Sequence, residues 1–274
     1  MKLAVDGHQL DYEVRGEGRP LVMLHGLAVD RRVLVEICEP VLAPLQTRDG
    51  WRRIYVDLPG HGLSTGSPER MGADALVETL AAFVREVAGG PACLVGYSYG
   101  GYLALGLLRE LEGVGGLFLI CPTVEADFGK RTVPARRIAT RDPVLTFSED
   151  PRERAAFEEV AVVQTQPQLE SFQRIVHPAN IGADQELMAA TRARYAMSRP
   201  YMQALQAFEQ PVSIVCGRDD HWVGFEDAMW LTRAFRRAHF SVLPDCGHLL
   251  PFEQPARFRA LLLDWVGRLR GEVR

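Results

Sequence analysis

The chain contains the segment Leu94-Val-Gly-Tyr-Ser98-Tyr-Gly-Gly-Tyr102, an apolar run that leads into a serine flanked by glycines. Residues 92–95 have the composition of a buried strand, and residues 103–108 that of an apolar helix. A G-x-S-x-G pattern between a strand and a helix predicts a nucleophile elbow, a sharp turn that exposes the serine hydroxyl. Gly96 and Gly100 leave the room that such a turn needs, and Ser98 is expected in a strained backbone conformation. The segment therefore predicts an α/β fold with Ser98 as a nucleophile.

Two later strands each lead into a loop that carries a possible partner for Ser98. Residues 212–216 read as a strand followed by Gly217-Arg-Asp219-Asp220, and residues 238–243 read as a strand that leads to Gly247-His248. The order serine, carboxylate, histidine is the one that accompanies a G-x-S-x-G elbow. Both loops follow the carboxyl ends of strands, where open α/β sheets bind their ligands. We expect His248 and one of the two aspartates to meet Ser98.

These side chains suit nucleophilic catalysis. A serine hydroxyl is protonated at neutral pH and attacks a carbonyl only when a base removes its proton. His248 is the candidate base, and a carboxylate would fix its tautomer and stabilise the imidazolium that forms. The backbone amides of Tyr99, at the start of the new helix, and of Leu27, after the strand 20–24, are the candidate oxyanion donors.

Together, these motifs resemble those of α/β-hydrolase-fold enzymes that carry a helical cap. The matching pieces are the elbow and four further segments: His25-Gly26, Asp57-Leu-Pro-Gly-His61-Gly-Leu-Ser64, Gly217-Arg-Asp-Asp220 and Gly247-His248. The resemblance implies a mostly parallel eight-stranded sheet with helices on both faces and a helical cap. The G-x-x-D pattern of these enzymes favours Asp220 over Asp219 as the acid. The resemblance also implies that His25 and His61 hold loops by hydrogen bonds.

The pattern of strands and helices divides the chain into two parts. Strand and helix signals alternate in residues 1–122 and recur in residues 210–274, which predicts a parallel sheet joined by crossover helices. Residues 123–209 lack a strong strand signal but contain apolar residues at helical spacing. We therefore expect one α/β core domain, 1–122 and 210–274, with the insertion 123–209 as a helical cap over the strand ends.

Composition and charge argue against several classes of protein. With 274 residues, 47% of them hydrophobic, the chain can bury a sizeable core. A net charge of −4 leaves no positive surplus for a nucleic-acid partner. Neither a signal peptide nor an apolar stretch of ~20 residues, which a membrane span needs, is evident. The five cysteines lack C-x-x-C spacing, so we expect reduced thiols in a cytoplasmic protein, either a monomer or a homodimer.

The candidate residues also lack the patterns of cofactor sites. The histidines do not have the spacing of an H-E-x-x-H metal site, and the elbow does not match the glycine patterns of dinucleotide or nucleoside triphosphate sites. We expect no metal and no other cofactor. The expected partner is a small-molecule substrate.

Fewer residues indicate the substrate specificity than indicate the catalytic chemistry. Tyr97, Trp222 and Leu249 adjoin the predicted triad and are candidate contacts for an apolar or aromatic substrate group. Four arginines early in the insertion could attract an anionic substrate, but nearby acids balance them, which favours a solvated helical face. These four are Arg131, Arg136, Arg137 and Arg141.

Three functional hypotheses follow. The first is a serine hydrolase that cleaves a small carboxylic ester through an acyl-enzyme. The second is a carbon–carbon bond hydrolase or lyase of the same fold acting on an acidic substrate. Two residues count against it, because such hydrolases commonly have tryptophan where Leu249 stands and the related lyase has arginine where Tyr102 stands. The third is a ligand receptor or interaction module that retains the triad.

Overall fold

The centre of the molecule is an eight-stranded sheet. The computed structural model describes residues 1–45, 50–199 and 201–271. Residue 200 of the predicted cap and residues 46–49 and 272–274 of the predicted core lie outside the described residues. The strands in chain order are β1 (Lys2–Val5), β2 (His8–Arg15), β3 (Arg19–Leu24), β4 (Trp51–Val56), β5 (Cys93–Tyr97), β6 (Gly116–Ile120), β7 (Thr140–Arg141), β8 (Val163–Gln164), β9 (Val212–Gly217) and β10 (Ala238–Leu243).

The large sheet has the order β1-β2-β4-β3-β5-β6-β9-β10. β1 and β2 form an antiparallel hairpin at one edge, turning at Asp6-Gly7 where both residues have positive φ. β2 is also antiparallel to β4, and the remaining pairs are parallel. The predicted mostly parallel eight-stranded sheet is confirmed. β7 and β8 pair separately, so the insertion contains a short two-stranded element that its sequence did not signal.

Helices cover both faces of the sheet. In chain order, the helices of the described residues are α1 (Arg31–Leu42), α2 (Ala73–Ala88), α3 (Tyr99–Glu110), α4 (Pro151–Val160), α5 (Gln166–Ser171), α6 (His177–Ile181), α7 (Gln185–Ala193), α8 (Met202–Gln206), α9 (Glu226–Met229), α10 (Leu231–Ala234), α11 (Leu250–Glu253) and α12 (Pro255–Leu269). A π-helical segment, Phe172–Val176, joins α5 to α6. Short 3₁₀ turns occur at Ala43–Leu45, Pro68–Arg70 and Phe128–Lys130.

Alternation along the central strands explains the two helical layers. In β3, Val22 and Leu24 belong to one apolar cluster, while Leu21 and Met23 belong to another. Successive side chains of a strand point to opposite faces, so both faces of this sheet are buried. The first cluster is completed by α2 and α3 and the second by α1 and α12.

The insertion 123–209 packs on both clusters through short helices. Phe157 of α4 and Leu169 of α5 join the second cluster, and Leu187 and Met188 of α7 join the first. This segment follows β6 and precedes β9, so it starts and ends at the central strands. Its assignment as a separate cap domain remains our prediction.

Candidate active site

Ser98 occupies the turn between β5 and α3 in a strained conformation, with φ 54° and ψ −118°. A Cβ atom on Gly100 would lie 2.1 Å from the carbonyl oxygen of Leu24, and one on Gly96 would lie 2.6 Å from the Cα of Gly101. Only glycine permits both approaches. The helix begins at Tyr99, ahead of the apolar run 103–108, because the turn is completed within one residue.

The structure brings Ser98, His248 and Asp220 into one hydrogen-bonded line. The Nε2 atom of His248 lies 2.9 Å from Ser98 Oγ, and its Nδ1 atom lies 2.8 Å from Asp220 Oδ2. His248 is separated from Ser98 by 150 residues and from Asp220 by 28. The carboxyl ends of β5, β9 and β10 lead to these three side chains, since parallel strands end at the same edge of the sheet.

The carboxyl group of Asp220 is fully buried and held as an acceptor. Its Oδ1 atom accepts hydrogen bonds from the backbone amides of Trp222 at 2.9 Å and Val223 at 3.1 Å. Burial would raise the pKa of Asp220, but the charge and hydrogen bond of His248, together with these two amides, outweigh it and leave the pKa below its usual value. Asp220 is therefore ionised and directed at the imidazole.

Asp219 faces a different partner. Its carboxylate accepts from Arg137 Nη1 at 3.0 and 3.1 Å, and its backbone amide donates to Cys246. Of the two neighbouring aspartates, Asp220 is the one within hydrogen-bonding distance of His248.

The segment that carries Leu27 lies directly beside the elbow. A Cβ atom on Gly26 would lie 3.1 Å from the Cβ of Ser98. Among the described residues, neither the amide of Leu27 nor that of Tyr99 has a protein acceptor. Tyr99 opens α3, whose first amides have no partner within the helix and carry its positive end. Both amides are thus free to bind an oxyanion.

Two buried imidazoles hold the backbone on either side of Leu27. His25 Nε2 accepts from the amide of Leu58 at 2.9 Å, and His61 Nε2 accepts from the amide of Ala28 at 3.0 Å. Burial lowers the pKa of His25 to about 4 and that of His61 to about 3, so both rings are neutral acceptors at neutral pH. Each bond therefore joins the segment around Leu27 to the loop that follows β4 and carries Leu58 and His61.

Aromatic rings flank the imidazole of His248. Trp222 stacks on it with ring centroids 5.7 Å apart, and the ring of Tyr97 lies 5.5 Å away. The hydroxyl of Tyr97 donates a hydrogen bond to the backbone carbonyl of His248. Tyr97 therefore contacts both the ring and the backbone of the histidine.

A second buried carboxylate supports the same loop. Glu253 accepts from the amide of Gly247 at 2.6 Å, and from the amides of Val162 at 2.7 Å and Val163 at 3.0 Å. Burial raises the pKa of Glu253, opposed by these three amides. Glu253 thereby links the backbone next to His248 to the β8 segment of the insertion.

A cavity of about 270 Å³ opens beside Ser98. Its wall includes Leu27, the predicted substrate contacts Tyr97, Trp222 and Leu249, and residues of the insertion. The insertion contributes mainly apolar and aromatic groups but also charged ones; these residues are Thr123, Phe128, Arg131, Ala156, Glu159, Val160, Phe172, Val176, Asn180, Arg192 and Tyr195. The cavity suits a small, largely apolar substrate.

The thiol of Cys121 is also close to the candidate triad. Ligand atoms of Cys121, Asp220 and His248 lie within 4.8 Å of one another. Burial raises the pKa of Cys121 well above its ordinary value, which opposes the thiolate form that a metal ion requires. The imidazole of His248 and the carboxylate of Asp220 are also hydrogen-bonded to each other. All five cysteines are buried and free. The absence of a metal site remains a prediction.

Comparison with known proteins identifies the family. A model of the alpha/beta hydrolase family matches residues 21–261. The chain belongs to the alpha/beta hydrolase family. This alpha/beta hydrolase superposes with a TM-score of 0.87 on a crystal structure of an alpha/beta superfamily hydrolase from Oenococcus oeni, which is 24% identical, with 98% of this chain and 99% of the other covered. The predictions of the fold and of an α/β-hydrolase enzyme are confirmed.

Curated relatives of this alpha/beta hydrolase have several activities. It is 23% identical to the monoacylglycerol lipase ABHD6 of Bos taurus, covering 95% of this chain and 80% of the relative. A pimeloyl-[acyl-carrier protein] methyl ester esterase of Xylella fastidiosa is 28% identical, covering 68% and 72%. A 2-hydroxy-6-oxononadienedioate/2-hydroxy-6-oxononatrienedioate hydrolase of Paraburkholderia phymatum is 26% identical, covering 95% and 91%.

Within the described ranges, no helix is both long and apolar enough to cross a membrane.

Sequence reasoning missed the contribution of the insertion to the cavity. The sequence groups Arg131 with solvated arginines, although it lines the cavity. Phe225 follows the acid loop in sequence but packs on the first apolar cluster. The role of Glu253 had no local signal, because its partners lie 6 to 91 residues away.

Proposed function

We propose that this enzyme is a serine hydrolase that cleaves small carboxylic esters, with Ser98 as nucleophile, His248 as base and Asp220 as the orienting acid. The observation that carries the proposal is the hydrogen-bonded line from Ser98 Oγ through His248 to Asp220, at 2.9 and 2.8 Å. Names of relatives that include a lipase and an ester esterase support the ester linkage.

The reaction follows from this geometry. His248 Nε2 takes the hydroxyl proton as Ser98 Oγ attacks the ester carbonyl, and the negative oxygen is held by the amides of Leu27 and Tyr99. The tetrahedral intermediate collapses, the C–O bond of the ester breaks, and the imidazolium gives its proton to the leaving alcohol. A water molecule then attacks the acyl-enzyme with His248 as base, which releases the acid and restores Ser98.

The cavity supports the restriction to small substrates. Its volume of about 270 Å³ accommodates a short acyl or alcohol group. Tyr97, Trp222 and Leu249 are proposed to contact that group. The insertion 123–209 is proposed to act as the cap that covers it.

The test uses Ser98→Ala with p-nitrophenyl acetate and butyrate, and a fluorophosphonate label. We expect the wild type to hydrolyse both esters and to be labelled at Ser98. The variant should keep its circular dichroism spectrum and thermal midpoint but lose turnover and labelling. Equal rates in the two folded proteins would refute the proposal.

A second candidate is hydrolysis of a carbon–carbon bond in an acidic diketone. The Paraburkholderia phymatum relative, matched over 95% of this chain, favours it. The same side chains would serve, with Ser98 attacking a ketone carbonyl. Activity on a vinylogous diketone acid without activity on any ester would select this alternative.

A further inference from the structure

The four arginines that the sequence groups together separate in the structure. Arg136 donates to the carbonyl of Glu158, Arg137 pairs with Asp219 and Asp245, and Arg141 pairs with Glu158 at 2.9 Å. All three are exposed. Arg131 instead lines the cavity beside Ser98. Arg131 is therefore the member of this group whose position suggests contact with a ligand.

The guanidinium of Arg131 is fixed by its surroundings. Nε donates to the carbonyl of Glu125 and Nη1 to the carbonyl of Trp222, both at 3.0 Å. The group stacks 3.9 Å from the ring centroid of Phe128 and lies 5.6 Å from that of Tyr195. A planar cation held in this way is oriented before any ligand arrives.

Arg131 is connected to the candidate triad through its neighbours. Trp222, whose carbonyl it binds, stacks on the imidazole of His248. Tyr195, whose ring lies 5.6 Å from the guanidinium, packs 4.4 Å from the ring of Tyr99 in the elbow. The cation is thus one residue removed from His248 through Trp222 and one residue removed from Tyr99 through Tyr195.

No described carboxylate lies within 4.0 Å of the nitrogens of Arg131. Its Nη2 atom is buried and makes no well-formed hydrogen bond to a described residue; the nearby hydroxyl is that of Tyr195, whose pKa is raised by burial, a rise that the charge and hydrogen bonding of Arg131 oppose. A buried N–H donor without a partner is costly, so a ligand that supplies an acceptor is favoured there. Arg192 also lines the cavity and likewise forms no ion pair with a described residue.

Glu159 is the opposing charge on the cavity wall. Its side chain is exposed, so water screens it more strongly than the half-buried Arg131. The two arginines therefore outnumber the carboxylate, and the better buried charge is positive. The remaining wall is largely apolar, which suits a short carbon chain that ends in an anion.

We propose that the substrate carries a carboxylate, which Arg131 binds with assistance from Arg192. This inference rests on the proposed ester hydrolysis and specifies its substrate class: a hemiester of a short dicarboxylic acid, or an ester of a hydroxy acid. A guanidinium matches the planar oxygens of a carboxylate, and a charge-assisted hydrogen bond in a water-poor cavity is strong.

Two matched pairs of esters test the proposal. The first is the p-nitrophenyl hemiester of glutaric acid against its methyl diester, which places the charge on the acyl side. The second is 4-acetoxybenzoate against its methyl ester, which places the charge on the alcohol side. We expect the wild type to favour the anionic member of at least one pair about 10- to 100-fold in kcat/KM. Arg131→Gln should reduce that preference by raising KM for the anionic member more than for the neutral member of the same pair.

Two further variants serve as controls. Arg136→Gln changes an exposed arginine outside the cavity and should leave both preferences unchanged. Arg192→Gln should weaken the preference less than Arg131→Gln, because Arg192 is exposed. A wild type without preference in either pair, or an Arg131→Gln variant that slows both members equally, would overturn the carboxylate site. Hydrolysis of the neutral esters would then still support the proposed function.

Binding provides a readout that does not depend on turnover. Calorimetric titration of Ser98→Ala with monomethyl glutarate and with 4-acetoxybenzoate should give measurable affinity for at least one of them. The double variant Ser98→Ala/Arg131→Gln should bind that ligand about 10- to 100-fold more weakly. Equal affinity in the two folded proteins would refute the proposal even if no ester is hydrolysed.

Discussion

The carboxylate of Glu253 accepts a hydrogen bond from the backbone amide of Gly247 at 2.6 Å, one residue before His248. The other oxygen of Glu253 binds the amides of Val162 and Val163 in the insertion. One buried side chain therefore joins the loop of the candidate base to the insertion. Hydrogen bonds to a charged group are stronger than neutral ones, so this contact defines where the loop lies.

Glu253→Gln should separate this positioning role from simple packing. The amide has the same shape but presents N–H groups to backbone N–H donors, so at least one bond is lost. We expect a loss of about 1.5–3 kcal/mol in the free energy of unfolding and about a tenfold lower kcat with little change in KM. Urea unfolding and ester kinetics measure both. Glu226→Gln, which changes an exposed glutamate at the start of another four-residue helix, is the matched control. Unchanged kcat in Glu253→Gln would contradict the positioning role.

The neighbouring aspartates provide a direct test of the candidate acid. Asp220→Asn should lower kcat on the order of 10³- to 10⁴-fold, since the amide no longer favours the productive tautomer of His248. Asp219→Asn removes the negative charge paired with Arg137 but leaves the bond between Asp220 and His248, so we expect less than a tenfold effect. Steady-state kinetics on p-nitrophenyl butyrate distinguish the two. The reverse ranking would mean that Asp219 is the catalytic acid.

Tyr97→Phe retains the ring beside the imidazole and removes only the hydroxyl. The backbone carbonyl of His248 then loses its donor, at a cost of about 1–3 kcal/mol to stability. We expect kcat to fall up to about tenfold while KM is retained, because the aromatic wall of the cavity is preserved. Tyr102→Phe removes another tyrosine hydroxyl, one that accepts from the amide of Met197, and should lower stability without this loss of kcat. Equal kcat in the two variants would argue against a role for Tyr97 in positioning His248.

Stability should decrease between pH 7 and pH 5 through the buried loop histidines. The pKa of His25 is about 4 in the folded protein against 6.5 when unperturbed, and that of His61 is about 3. Between these values the unfolded chain binds more protons, so the folded state loses stability as the pH falls. His25 alone contributes a loss of about 2 kcal/mol between pH 7 and pH 5.

Two measurements check this pH dependence. Urea unfolding at both pH values should give a lower free energy of unfolding at pH 5. The imidazole resonances of His25 and His61 should keep the chemical shifts of neutral rings down to pH 5. A titration midpoint near 6.5 for either ring would show that its buried hydrogen bond is not maintained.

Much of the fold was predictable because its signals are local. The elbow follows from the steric limits of glycine and serine around residue 98, and the strands follow from apolar runs of a length that a sheet can bury. Element boundaries were less accurate. Pairing with β3 makes β4 begin at Trp51 and continue through Arg52 and Arg53, whose polarity hides the first half of this strand in the sequence.

The structure of the insertion was predictable only in outline. Its helices have apolar periods, but the short β7–β8 pair has no comparable pattern. Two-residue strands leave almost no periodicity in a sequence, and their pairing depends on how neighbouring segments pack. The contributions of Phe128, Arg131 and Tyr195 to the cavity also depend on how neighbouring segments pack, so they could not be assigned in advance.

The sequence by itself determined the order along the chain of the strands in the large sheet, the strained turn at Ser98 and the identity of the candidate base, because each depends on local patterning, backbone sterics or a motif of a few residues. The tertiary structure alone decided that Glu253 supports the histidine loop and that Arg131 lines the cavity while Arg136, Arg137 and Arg141 do not. Those outcomes depend on contacts between segments distant in the chain, and local propensity carries no information about which side chain turns inward.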